Sequence, residues 1–136
     1  MTGVTVRPAR TLLAPGLEIS RIVTGLWQVA DMERGGTTLD PVRGAAHLAE
    51  YAAAGFDTFD MADHYGSAEV IAGTLLASPQ GRGVRAFTKW CPEPGPMSAA
   101  TVRAGVMRAL DRLRVERIDL MQFHWWTFKH PAWLDA

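Results

Sequence analysis

Apolar and polar positions alternate along this chain in two periods, and the two periods take turns. Residues 11–20, TLLAPGLEIS, form two short β-like runs around Pro15-Gly16, a pair suited to the centre of a type II turn. The β-branched run ISRIVTGLWQV follows, and Ile22 to Gly25 reads as a buried strand ahead of a long polar loop, ADMERGGTT. The next segment, LDPVRGAAHLAEYAAAG, changes to helical spacing. Asp40 is placed to cap it, Pro41 suits the first turn, Gly55 closes it, and Val42, Ala45, Ala46, Ala49 and Ala52 share a face. FDTFDMA is again strand-like. SAEVIAGTLLAS is a second helix with Ser67 as its cap, and VRAFTKW is a third strand. Ser98 caps AATVRAGVMRALDRL, whose Val102, Val106, Leu110 and Leu113 make a core-facing stripe. RIDLMQFHWW is the fourth strand, and HPAWLDA begins a further helix.

The order is a hairpin and then strand–helix four times, with the fourth helix cut short. Strands alternating with helices pair in parallel through right-handed crossovers. The strands carry few polar interruptions, as expected where both faces of a sheet are covered. Nothing of fixed sequence repeats, although the strand–helix unit recurs at the spacing such motifs need.

Composition narrows the function classes. The chain has 136 residues, 48% of them hydrophobic, enough for one domain with one core. Lys+Arg and Asp+Glu are both 14, so no net charge draws the chain towards nucleic acid or an acidic membrane. Arg103, Arg108, Arg112, Arg114 and Arg117 read as a solvated helix face. A single cysteine, Cys91, excludes an internal disulfide framework and fits a reducing compartment. Arg7 and Arg10 stand near the N-terminus without the apolar run of a secretory signal, and no stretch approaches the length of a membrane helix. The expectation is a cytoplasmic protein.

The polar residues gather at the strand ends. The first strand ends at Gly25-Leu26-Trp27, the second at Asp60 with Tyr65 in the loop behind it, the third at Lys89-Trp90, and the fourth at His124-Trp125-Trp126. Parallel strands with helical crossovers place all these C-termini along one edge, and in a barrel around one mouth, where sites form. Asp60, Tyr65, Lys89 and His124 are therefore expected to converge. A lysine at such a position needs a carboxylate, which Asp60 supplies from the neighbouring strand. A tyrosine beside that ammonium has its phenolate favoured and can serve as a proton donor.

The stretches FDMADHYGSAE (59–69), FTKW (87–90) and IDLMQFHWW (118–126) resemble the aldo-keto reductases. The Asp-x-x-x-x-Tyr spacing, a Lys at the next strand end, a His closing the fourth strand, and TGLWQV after a hairpin all fit that family's pattern. The resemblance covers essentially the whole chain. It implies an α/β fold, the N-terminal half of a (β/α)8 TIM barrel, with residues 1–136 forming a hairpin and then βα units 1–4. It also implies NADPH-dependent reduction of an aldehyde or ketone to an alcohol by hydride transfer. In that scheme Tyr65 is the general acid, Lys89 makes the phenol a better acid, Asp60 pairs with Lys89, and His124 positions the carbonyl. Gly25, Leu26 and Trp27, together with Asp60, contact the nicotinamide half, and Trp27, Trp90 and Trp125 wall the substrate. Asp63 and His64 shape the loop.

Other chemistries find less support. No metal is expected, because the Asp60, Asp63, His64 and His124 set lacks a His-x-His spacing and holds Lys89 in its midst. GRG at 81–83 precedes a strand and is no dinucleotide fingerprint, and no phosphate-binding Gly-x-x-x-x-Gly-Lys loop is present. Cys91 has no separate base and reads as a structural thiol. A complete (β/α)8 barrel takes about 250 residues, so this chain supplies roughly half. By the family pattern the other half holds most of the grips on the cofactor. Activity is then expected to need a complementary C-terminal half-barrel or self-association, the alternative being an inactive fragment or a non-enzymatic interaction module.

Overall fold

The computed structural model describes residues 7–29, 31, 35 and 37–125. The expected helix at 130–136, Trp126 and much of the 30–38 loop lie outside the described residues. A hairpin comes first, β1 (Arg10–Ala14) and β2 (Leu17–Ser20), antiparallel and joined at Pro15-Gly16. Gly16 has φ +77°, the left-handed value that a type II turn demands there. The hairpin is followed by β3 (Thr24–Gly25), α1 (Pro41–Ala53), β4 (Thr58–Asp60), α2 (Ala68–Leu76), β5 (Arg85–Trp90), α3 (Ala99–Leu113) and β6 (Leu120–Phe123).

The four later strands form one parallel sheet in the order β3-β4-β5-β6. Each strand pairs with the next in sequence, so every crossover runs the same way and every helix lies on the same face. Such a singly wound sheet has the strand order expected of half of an eight-stranded barrel.

Register and pleat decide which residues face where. Side chains alternate along a strand. Phe59 and Ala86 are partners across β4 and β5, and both join Leu48, Ile71, Leu75 and Leu113 in the main core beneath the helices. Burying each large side chain in that core is worth roughly 1.5–3 kcal/mol. The alternate positions, Asp60, Phe87 and Lys89, turn to the other face, which would be a barrel's interior. The hairpin sits at the far end of this sheet, where Arg10 reaches Asp57 at 2.7 Å just ahead of β4. The strand C-termini are thus left as the free end.

Several local expectations change. Asp40 caps α1 as read, its carboxylate accepting from Arg43 N–H at 2.8 Å. Ser67 makes no side-chain cap on α2, and Asp31 accepts its backbone N–H at 2.9 Å instead. The first parallel strand is only Thr24–Gly25, with Ile22 59% exposed, because Ile22 and Val23 precede the pairing with β4. On α1 the buried residues are Gly44, Ala45 and Leu48, while Val42 stands 69% exposed.

Candidate active site

β4 and β5 end side by side, and their register brings two charges together. Asp60 pairs with Phe87, two residues before Lys89 on the same face. The Lys89 Nζ donates to Asp60 Oδ2 at 2.5 Å and to the Met61 carbonyl at 3.0 Å. Two of its three N–H donors are taken in this way. Both side chains are partly buried, 18% and 32% exposed, so the pair is screened less than a surface ion pair would be.

Tyr65 stands on the loop that follows β4. Its ring centroid lies 5.3 Å from Lys89 Nζ, within reach of a cation–π attraction. Trp27 packs edge-on against the same ring at 4.8 Å, and His64 does so at 4.9 Å. His64 in turn lies 5.3 Å from the His124 ring. Rings from the ends of three strands, β3, β4 and β6, thus form one continuous chain beside the Asp60–Lys89 pair. His124 is set in place by its backbone N–H, which donates to the Trp90 carbonyl at 2.8 Å.

The loop itself is built around Asp63. Its backbone N–H donates to Lys89 O at 2.9 Å, its Oδ2 accepts from Cys91 N–H at 3.1 Å, and its Oδ1 lies 3.2 Å from His64 Nδ1. One short side chain therefore clamps the β4 end to the β5 end.

Not every residue expected at the mouth is there. Trp90 is buried, and its indole packs against α3 at Gly105, on the face opposite Lys89. Alternation along β5 dictates this, since Trp90 and Lys89 are consecutive. Phe123 packs between Trp90 and Trp125, at 5.7 Å and 5.2 Å, and Trp125 donates its indole N–H to Pro92 O at 2.7 Å. These aromatics form a group distinct from the Trp27–Tyr65–His64–His124 chain. Leu26 is fully buried in the main core, so only its backbone is available at the strand end, where its N–H donates to Asp60 O at 2.9 Å. Gly25 pairs with Asp60, and a Cβ built there would meet nothing within 4 Å.

Glu69, which no strand-end pattern marks, and Arg112, expected on a solvated helix face, support the site from behind. Glu69 is only 1% exposed, accepting from Thr88 Oγ1 at 2.6 Å and from Arg112 Nη1 at 3.2 Å. Arg112 also donates to the Asp63 carbonyl at 3.2 Å, so it holds the site loop from behind and is no member of a solvated face. A signal existed in the sequence: Glu69 lies one position after Ala68 and three before Ala72, on the side of α2 that faces the core.

Comparison with known proteins bears on this arrangement. The family model described as Aldo/keto reductase family matches residues 21–135. A solved structure described as an aldo-keto reductase from Pseudomonas aeruginosa is similar with TM-score 0.75 and 23% identity, covering 98% of this chain and 57% of its own. A second from the same organism gives TM-score 0.73 and 25% identity, with coverage of 94% and 52%. A Bombyx mori aldo-keto reductase, solved in complex with NADP, gives TM-score 0.63 and 22% identity, with coverage of 93% and 41%. The chain thus spans about half the length of the solved structures it matches. No curated protein matches it.

Proposed function

The chain belongs to the aldo/keto reductase family, and from that premise we propose that it carries the acid–base half of an NADPH-dependent reductase of aldehydes or ketones. The observation that carries this reading is the Lys89 ammonium, 2.5 Å from Asp60 and 5.3 Å from the centre of the Tyr65 ring. A bound nicotinamide would supply a hydride to the carbonyl carbon. Tyr65 gives its phenolic proton to the carbonyl oxygen as negative charge develops there. Lys89 stabilises the phenolate left behind, and Asp60 holds Lys89 in place. His124, reached through the ring chain from Tyr65, orients the same oxygen.

The residues present fit the nicotinamide end of such a cofactor. Gly25 leaves open space at the end of β3 directly beside Asp60, which suits the approach of a flat ring. The backbone of Gly25 and Leu26, the Trp27 side chain and Asp60 would hold it, and the NADP complex of the Bombyx mori relative supports the cofactor class. Trp27, packed on Tyr65, is the wall for a small apolar or aromatic carbonyl compound; Trp125, expected as a second wall, is held by its indole N–H on Pro92 O and packs on Phe123. Trp90 is left out of that wall by its packing on α3. The single cysteine supports a reducing cytoplasm as the setting.

Closing the mouth requires further strands beside β3 and β6, whether from the same polypeptide or another. Activity is therefore assigned to the completed barrel. NADPH fluorescence titration tests this: the cofactor binds weakly or not at all to the 136-residue chain and binds when a complementary half-barrel is added. In the active assembly, Tyr65→Phe keeps cofactor affinity within about twofold and lowers turnover by about 10²- to 10⁴-fold, the range of general acid catalysis. Unchanged turnover removes Tyr65 from the acid role. Cofactor binding without any turnover, with or without the added half, favours a binding module over an enzyme.

A further inference from the structure

Three consecutive strand ends deliver a second set of side chains to the same mouth. His64 follows β4, Cys91 follows β5 and His124 follows β6. One nitrogen or sulfur ligand atom from each lies within 4.8 Å of the others. We propose that His64, Cys91 and His124 form a binding site for a borderline-soft divalent cation, zinc foremost.

The donor set carries the choice of ion. Two imidazoles and a thiolate suit zinc and not magnesium or calcium, which take oxygen ligands. Zinc bonds of about 2.0–2.1 Å to nitrogen and about 2.3 Å to sulfur place tetrahedral ligands about 3.5 Å apart. Binding therefore requires these partly exposed side chains to close the present spacing by about an ångström. Three protein ligands leave a fourth position for water.

The surroundings are arranged for such an ion. The Asp63 carboxylate lies 3.2 Å from His64 Nδ1, the carboxylate–histidine geometry that fixes a ligand ring and assigns the other nitrogen, Nε2, to the metal. The other Asp63 oxygen accepts from Cys91 N–H at 3.1 Å, so one residue holds two of the three ligands. The Trp90 carbonyl holds the third through the backbone of His124 at 2.8 Å. Lys89 is the cation that would oppose the ion, and its charge is neutralised by Asp60 at 2.5 Å. No metal spacing is legible along the chain because the ligands come from three different strand ends, each about 30 positions from the next, as the βα repeat requires.

Cobalt(II) titration of the purified chain, in a thiol-free reductant, tests the site without reference to reductase activity. The expected spectrum has intense ligand-field bands of four-coordinate cobalt and a thiolate-to-cobalt charge-transfer band. Both saturate at one ion per chain and vanish on adding equimolar zinc. Cys91→Ser abolishes the charge-transfer band, and His64→Gln or Asp63→Asn weakens cobalt binding by about 10- to 100-fold. Should a variant fail to fold by circular dichroism, the wild-type chain still decides: zinc must slow alkylation of Cys91 by iodoacetamide at least tenfold. A weak spectrum typical of hydrated cobalt with no charge-transfer band, or alkylation at an unchanged rate with zinc, overturns the proposal. Neither result alters the role proposed for Tyr65.

Discussion

At Lys89 a single ammonium satisfies a carboxylate and a carbonyl while standing beside a phenol. Replacing it by methionine keeps the stem and removes the charge. On the proposed mechanism, Lys89→Met in the completed barrel should lower turnover by at least about 10²-fold, measured in single-turnover mode, while NADPH affinity changes little. Asp60 is a third exposed and can be rehydrated, so the same change should cost the fold little. Glu69 behaves in the opposite way. It is buried and serves both Thr88 and Arg112, so Glu69→Ala leaves the buried Thr88 hydroxyl without its acceptor and Arg112 without its carboxylate, holding only the Asp63 carbonyl. The expected loss is about 3 kcal/mol in urea unfolding, against a smaller loss for Glu69→Gln, which retains an acceptor for Thr88. An unchanged urea midpoint for the alanine variant would show that the network contributes nothing. The contrast explains what could be read in the sequence at this scale. Asp60, Lys89 and His124 stood at the ends of apolar runs and were legible as departures from them. Glu69 breaks no strand-end pattern, and Trp90 faces away from Lys89 because adjacency in sequence is opposition across a sheet.

Elements are joined here by close backbone approach as much as by apolar stripes. Gly73 of α2 faces the backbone of Arg112 and Leu113, and Gly105 of α3 faces the Trp90 indole, 2.5 Å from where a Cβ would stand. At both places the neighbour must move to admit a methyl group, and an indole side chain can swing aside more readily than a helix terminus held by its own hydrogen bonds. Gly105→Ala should therefore cost about 1–2 kcal/mol even after the roughly 1 kcal/mol that alanine returns in helix propensity, and Trp90→Phe should recover part of it. Gly73→Ala should cost more and gain nothing from that second change. Thermal unfolding of the four variants checks the order, and equal losses would contradict it. The same packing explains why helix positions were legible while their faces were not. Apolar period located α1, and Asp40 with Pro41 fixed its start. Its buried face, however, runs through Gly44, where Ile71 comes within 2.9 Å of a would-be Cβ, and a hydrophobicity pattern does not count glycine as contact. Asp31 capping α2 from 36 positions away was equally invisible, since local sequence offered Ser67.

For the molecule as a whole, the open side of the sheet sets the behaviour. The topology was legible because one strand–helix alternation admits one handedness of crossover. The consequence is that β6 has a paired neighbour on one side only among the described residues, β5. Beside it, Trp90, Met97, Val102, Val106, Met121 and Phe123 line an apolar groove of about 320 Å³ between β6 and α3. Val102 and Val106 belong to the stripe expected to be core, and here they reach it only at its margin, half-buried. A parallel strand edge next to an apolar groove offers backbone hydrogen bonds and burial together, which is what a second strand and helix would take up. The 136-residue chain should accordingly self-associate: sedimentation velocity should show an average mass that rises with concentration. Phe123, 36% exposed at the end of β6, is the place to test this, since its ring covers the groove and its replacement leaves Asp60, Tyr65 and Lys89 untouched. Phe123→Lys puts a charge at the edge, the device by which sheet edges are kept apart, and should shift the distribution towards monomer with the circular dichroism unchanged. A wild-type chain that sediments as a monomer at every concentration would mean that the edge is already covered by the chain's own residues.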